Sequence, residues 1–251
     1  MRVGFIRFLI LVGVLFFWTG FLNILTSCKS ENVPVETTTT TTTTTLHTTT
    51  TTQKPAPAPV VLSWETNRPE RKAWSKFVLD YIDGAFPVFY TATDNKRFCP
   101  GFQSLTRSQQ IQAMAEIIVG ITFYESGFSP VSRMQETTMG IDPVTGKPVF
   151  SEGLLQLSYQ DVQSYKSVFN GQCRIDWQKD KGLSPTDPAK TILDPITNLH
   201  CGLMIIQNQL NKKGSWVLST GVYWAVLKEG GKYQKIEQII NRVKKLNFCT
   251  N

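Results

Sequence analysis

Histidine is nearly absent from this chain of 251 residues. There are two, and His47 sits inside a threonine tract, which leaves His200 as the one imidazole in a segment expected to fold. A multi-histidine metal site is therefore excluded, and neither a metal nor any other cofactor is expected. A Ser-His-Asp or Cys-His nucleophile would have to use His200, one turn into a helix beside a cysteine expected to form a disulfide, and that chemistry is disfavoured. The five cysteines lack the short C-x-x-C spacing of a zinc site. There is no Gly-rich phosphate loop and no dense Lys/Arg run with interleaved aromatics, so nucleic acid is not expected as a partner. What remains for acid–base chemistry is carboxylates.

The formal charge is +7, or +5 once Arg2 and Arg7 are set aside as part of a targeting segment. That bias fits an anionic polymer or surface such as cell-wall glycan or acidic lipid. Residues 1–28 read as a secretory signal, with a basic start and an apolar run from Phe8 to Leu25. The run ends in Leu25-Thr26-Ser27-Cys28, which resembles a bacterial lipobox with Cys28 as the lipidated residue. An uncleaved membrane anchor is the alternative, since the run is nearly long enough to span. Either way the rest of the chain is expected outside the cytoplasm and tethered to a membrane. Lys29 after the cysteine resembles lipoproteins sent on to an outer membrane. Residues 29–63 form a linker, almost pure threonine from Thr37 to Thr52 and then Lys54-Pro55-Ala56-Pro57-Ala58-Pro59, a composition that extends and cannot bury a core.

Residues 64–251 form the expected folded domain, mainly α with a small β-hairpin insertion. A first helix starts at Asn67-Arg68-Pro69-Glu70 and carries Trp74, Phe77, Val78, Tyr81 and Ile82 on one face. Thr106 and Gln109 offer a capping box for the next helix. In it Ile111, Met114, Ala115, Ile118 and Thr122 recur at three- and four-residue spacing, the mark of one buried face. The next position on that face is Glu125, a carboxylate where the pattern asks for a hydrophobe. Burial and the negative end of a helix both raise a carboxyl pKa, and Gly127 and Pro130 place that end just beyond it. A general acid is made this way; a last-turn Glu swung out to solvent is the competing reading.

Downstream, Thr137 to Ser151 reads as a small hairpin or flap carrying Glu136, Asp142 and, just past it, Glu152. Gly153-Leu154-Leu155-Gln156-Leu157-Ser158 leads into a helix capped by Ser158 with Asp161. Asp194-Pro195 opens a core helix with Ile196, Leu199, Leu203, Ile206 and Leu210 inward, ended by Gly214. Trp216 to Leu227 is read as a further helical piece, and Tyr233 to Leu246 as the last helix. Setting Cys28 aside, Cys99, Cys173, Cys201 and Cys249 are an even number in an exported domain, which suggests disulfides. Cys173–Cys201 and Cys99–Cys249 are the favoured pairs among three connectivities.

These pieces resemble the lysozyme-like superfamily, in its soluble lytic transglycosylase and goose-type lysozyme branch. The resemblance rests on Glu125-Ser126-Gly127-Phe128 at a helix end and on Gly153-Leu154-Leu155-Gln156-Leu157-Ser158, similar to that family's Gly-Leu-Met-Gln-Ile segment. Asp194-Pro195 with Asn198 and Gly202 resembles the later helix that packs against the catalytic one. The two first motifs lie further apart than in common members, and the family's Ala-Tyr-Asn-Ala-Gly stretch appears only as Tyr223-Trp224-Ala225-Val226. The resemblance implies cleavage of the β-1,4 bond between N-acetylmuramic acid and N-acetylglucosamine in peptidoglycan by a monomer, with Glu125 as proton donor. A lytic transglycosylase would return the proton from the muramic 6-hydroxyl and leave an anhydro end. A lysozyme would admit water, helped by a second carboxylate, for which Glu136, Asp142 and Glu152 are candidates. Ser126, Gln156, Ser158 and Tyr223 are candidates for contacts to the sugar, and Gly153 for backbone geometry near it. Two other classes compete: a non-catalytic binding protein that keeps the fold and clamps glycan, and a stalked surface adhesin.

Overall fold

The computed structural model describes residues 60–250; the signal segment, Cys28 and the stalk up to residue 59 lie outside the described residues. In chain order the helices and strands are α1 Lys72–Gly84, α2 Phe86–Tyr90, α3 Asn95–Phe98, α4 Arg107–Ser126, β1 Arg133–Gln135, β2 Phe150–Glu152, α5 Tyr159–Ser164, α6 Lys166–Phe169, α7 Trp177–Asp180, α8 Pro195–Lys213 and α9 Ile236–Val243. The described residues are thus mainly helical with one two-stranded antiparallel sheet. None of their helices is long and apolar enough to cross a membrane.

Helix α4 is the centre of the packing. Its start is the expected box: Gln109 N donates to Thr106 Oγ1, and Thr106 N donates to Gln109 Oε1. The apolar face expected along it is buried, but so is almost everything else from Ala113 to Thr122. Helices α1 and α9 lie against it, and short 3-10 turns cover what they leave open. A helix covered on all sides needs no single apolar stripe, which is why the periodicity understates its burial. Gly120 lets α9 approach: a Cβ there would lie 2.8 Å from Ile239 Cγ2. Burial also takes in Glu116, whose carboxylate accepts from Ser63 N at 2.6 Å and Ser63 Oγ at 2.7 Å. With Leu62 fully buried as well, packing begins upstream of Trp64, where the linker was expected to end.

Two disulfides close the domain, Cys99–Cys249 and Cys173–Cys201. They are the favoured pairs, and they fit an oxidising, exported compartment. The hairpin ladder sits at the edges of the expected flap: Arg133, Met134 and Gln135 pair with Glu152, Ser151 and Phe150, and residues 137–149 form the connecting loop. The segment from Trp216 to Leu227 is not a helix, apart from one 3-10 turn at Ala225–Leu227. Its backbone is pulled straight where Trp216 N and Val217 N donate to the Asp94 carboxylate, and Gly221 takes a positive φ of 69° that breaks helical continuity. The last helix is shorter than expected, because Tyr233 stays in an exposed turn.

Candidate active site

Glu125 lies in the last turn of α4, and the chain reverses immediately after it. Gly127 is in the left-handed region at φ 59°, with its N–H donating to Phe123 O at 2.9 Å, and Phe128 follows at φ 66°. The carboxyl is largely withdrawn from solvent, and no hydrogen bond reaches it from the described residues. Desolvation, followed by the negative charge of Glu136, raises its pKa to about 7. It is a carboxylic acid poised to hold or release a proton near neutrality.

Glu136 follows β1 directly. Its N–H donates to Val149 O, and its Oε1 accepts from Ser151 Oγ on the paired strand. Side chains alternate along a strand, so Met134 and Glu136 share one face of the hairpin and Arg133 and Gln135 the other. Of the three candidate carboxylates, Glu136 is the one whose charge acts on Glu125, and the other two are engaged elsewhere. Asp142 is buried and accepts from Val144 N, Thr145 N and Gln160 N, so it holds the flap loop together. Glu152 is buried on the opposite face of the hairpin, where it pairs with Lys190 and lies 3.6 Å from Arg133. Neither is free to serve as the second group.

The Gly153–Gln156 turn is closed by hydrogen bonds between Glu152 and Leu157 in both directions. Gly153 takes φ 80°, and a Cβ on it would meet Asn198 Nδ2 at 2.3 Å. Asn198 on α8 accepts from Leu155 N at 2.7 Å and donates to Glu152 O and Ile192 O. Gly202, one turn on, leaves space that Leu155 fills, and Trp224 Nε1 donates to Leu155 O. So Asn198 and Gly202 grip this turn; the partners of α4 itself are chiefly α1 and α9.

The four candidates for sugar contact divide in the same way. Gln156, buried and at φ 49°, spends its Nε2 on Gly153 O and Ser132 O. Ser158 is buried and donates to Asp161 Oδ2 as a helix cap, and the Ser126 hydroxyl donates to Thr122 O within α4. These three brace the site. Tyr223 is half-buried and donates to Asp161 Oδ2 at 2.6 Å. Burial, then Asp161, hold its hydroxyl protonated well beyond the usual tyrosine range, and the charge of Glu125 adds to this. Asp161 is the residue that sequence reasoning placed only as a cap. One of its oxygens accepts from Ser158 N, Ser158 Oγ and Tyr223 Oη together, linking the turn after the hairpin to the tyrosine beside Glu125. No spacing in the sequence joins Asp161 to Tyr223. Among the described residues no cluster of His, Cys, Asp or Glu is arranged to hold a metal.

Neither known protein families nor curated proteins offer a match to this chain. Solved structures do. The chain is similar to the Bdellovibrio protein Bd0314 DslA in its wild-type form, with 25% identity and a TM-score of 0.58 over 76% of this chain and 98% of that one. Two single Glu-to-Gln variants of the same protein match equally, at 25% identity and a TM-score of 0.57. Their two substituted glutamates lie eleven residues apart in that protein.

Proposed function

We propose that this protein cleaves the β-1,4 bond between N-acetylmuramic acid and N-acetylglucosamine in peptidoglycan, with Glu125 as the general acid. The observation that carries the proposal is a carboxyl at the end of a buried helix, held by no hydrogen bond from the described residues, with its pKa raised to about 7. Such a group is protonated in a useful fraction at neutral pH and can give its proton to a glycosidic oxygen as the bond breaks through an oxocarbenium-like state. The Glu-Ser-Gly-Phe and Gly-Leu-Leu-Gln-Leu-Ser segments support the lysozyme-like reading of the fold. Glu125 and Glu136 are eleven residues apart, the same separation as the two glutamates substituted in the structural neighbour.

Glu136 favours hydrolysis over anhydro formation. As the second carboxylate it would position an attacking water and take its proton, after Glu125 has protonated the leaving oxygen. Tyr223, kept protonated by burial and then by Asp161, offers a hydroxyl oxygen to the same space. The lipobox at Cys28 would anchor the enzyme in the cell envelope, and the threonine stalk would give it reach to the wall.

Clearing of purified walls by the protein, and its loss in Glu125→Gln, tests the assignment. Clearing that survives the substitution overturns the mechanism, and clearing on no wall preparation favours a glycan-binding role. Walls with some sugars de-N-acetylated belong in the panel, because the long flap can change which acetyl groups are accepted. Mass spectrometry of the released muropeptides then separates the outcomes: reducing ends are expected from hydrolysis, and anhydro-muramic ends would mean that Glu136 does not deliver water.

A further inference from the structure

The hairpin has two faces, and only one is used at Glu125. Behind the other, where Arg133, Phe150 and Glu152 point, lies a cavity of about 70 Å³, room for a carboxylate and a few waters. It is walled by Tyr159 and Trp177, whose rings meet edge to face with centroids 4.9 Å apart.

The charges around it do not cancel. Its three carboxylates are committed: Asp142 to three backbone N–H groups, Asp180 to Thr191 N, Ile192 N and two hydroxyls, and Glu152 to Lys190. Of its four cations, Lys190 is taken up by Glu152. Lys147 and Lys181 form no ion pair among the described residues; Lys181 Nζ donates to Gln178 Oε1 at 2.8 Å, and Lys147 Nζ stands 5.3 Å over the Trp177 ring. Arg133 Nε is buried, too far from Glu152 for a hydrogen bond at 3.6 Å, and has no other acceptor among the described residues. A buried donor without an acceptor calls for a partner outside the chain.

We infer that this cavity is a subsite for a carboxylate monoanion, the free carboxylate of a short peptide. Lys147 and Lys181 supply charge at the mouth, Arg133 faces it from the hairpin, and the aromatic wall lowers the local dielectric so that each charge-assisted bond counts for more. With Glu152 paired to Lys190, the charge left over at the cavity is positive, which suits an anion. Resting on the function proposed above, the source is the peptide stem that peptidoglycan carries, so the hairpin would hold glycan on one face and peptide on the other.

The test is titration of the full chain, followed through the Trp177 indole resonance, with N-acetyl-D-alanyl-D-alanine and with its C-terminal amide. The acid is expected to shift that resonance saturably, and the amide to bind at least about tenfold more weakly, the loss of a charge-assisted contact. Lys147→Gln with Lys181→Gln should weaken the acid about fivefold or more and leave the amide unchanged. Glu125→Gln should leave both titrations as they were, which separates failure of this subsite from failure of the glycosidase reading. Equal binding of acid and amide overturns the inference. So does a double variant that binds the acid normally, or inorganic phosphate binding as well as the acid.

Discussion

The proton on Glu125 sets the first expectations. With its pKa raised to about 7, wall clearing should fall about tenfold per pH unit once the pH passes that value. Glu125→Gln should cost about 10²–10⁴ in rate below that pH and progressively less above it. The same shift has a sign for stability. The folded pKa lies above the ordinary carboxyl value of 4.5, so the contribution is fully present below that value and is lost as pH rises through about 7. Glu125→Gln should therefore melt higher than the parent at pH 8 and alike at pH 4, by an amount on the order of 1–3 kcal/mol. A variant no more stable at pH 8 would mean that Glu125 is not held in a desolvated place. Removing the neighbouring charge in Glu136→Gln should move the alkaline limb of the rate profile to lower pH; an unmoved limb would take Glu136 away from Glu125. At this scale the sequence carried Glu125, because a carboxylate interrupts an apolar period just before Gly127. It could not rank Glu136 against Asp142 and Glu152. That ranking depends on the Asp142 loop bonds and on Lys190, which reaches Glu152 from 38 residues further along.

Among the elements, the decisive joint is between α8 and the Gly153–Gln156 turn. The inward spacing of Leu199, Leu203, Ile206 and Leu210 made α8 legible, but nothing in it announced that Asn198 would hold three backbone groups of a turn and a loop. Asn198→Leu strands Leu155 N and two carbonyls in a dry place, at about 1–3 kcal/mol for such a group. Gly202→Ala sets a methyl carbon 2.3 Å from Leu155 Cδ1, and overpacking of that kind costs about 1–3 kcal/mol. Both should lower the denaturation midpoint, and both should lower clearing at temperatures where the protein is still folded, since the turn they displace carries Glu152 and leads to Ser158 and Asp161. Full clearing with a lowered midpoint would separate this joint from the site. The segment from Trp216 to Leu227 was misread for a complementary reason. Its apolar residues have helical spacing, while Asp94, far away in sequence, captures the backbone N–H groups that a helix would have used.

Across the whole molecule the two disulfides have unequal reach. Cys99–Cys249 spans 150 residues and ties the C-terminal turn after α9 to the turn after α3, whereas Cys173–Cys201 spans 28 and ties a loop to α8. Cross-linking limits the unfolded chain more when the loop is longer, at about 5 kcal/mol for the first and about 3.5 kcal/mol for the second. The longer bridge also stands behind α9, whose Ile239 seats against Gly120 in the middle of α4, and Glu125 ends that same helix. Cys99→Ser with Cys249→Ser should therefore lower Tm by roughly 10–20 °C, more than Cys173→Ser with Cys201→Ser. It should also move the alkaline limb of the rate profile to lower pH, because a loosened α4 end lets water reach the acid and drop its pKa toward 4.5. Calorimetry of the two variants, with wall clearing followed from pH 5 to 9, reads both effects. The opposite order of melting temperatures would show that stability is not set by the length of chain each bridge encloses. An unchanged pH limb would show that α4 keeps Glu125 dry without the C-terminal clasp.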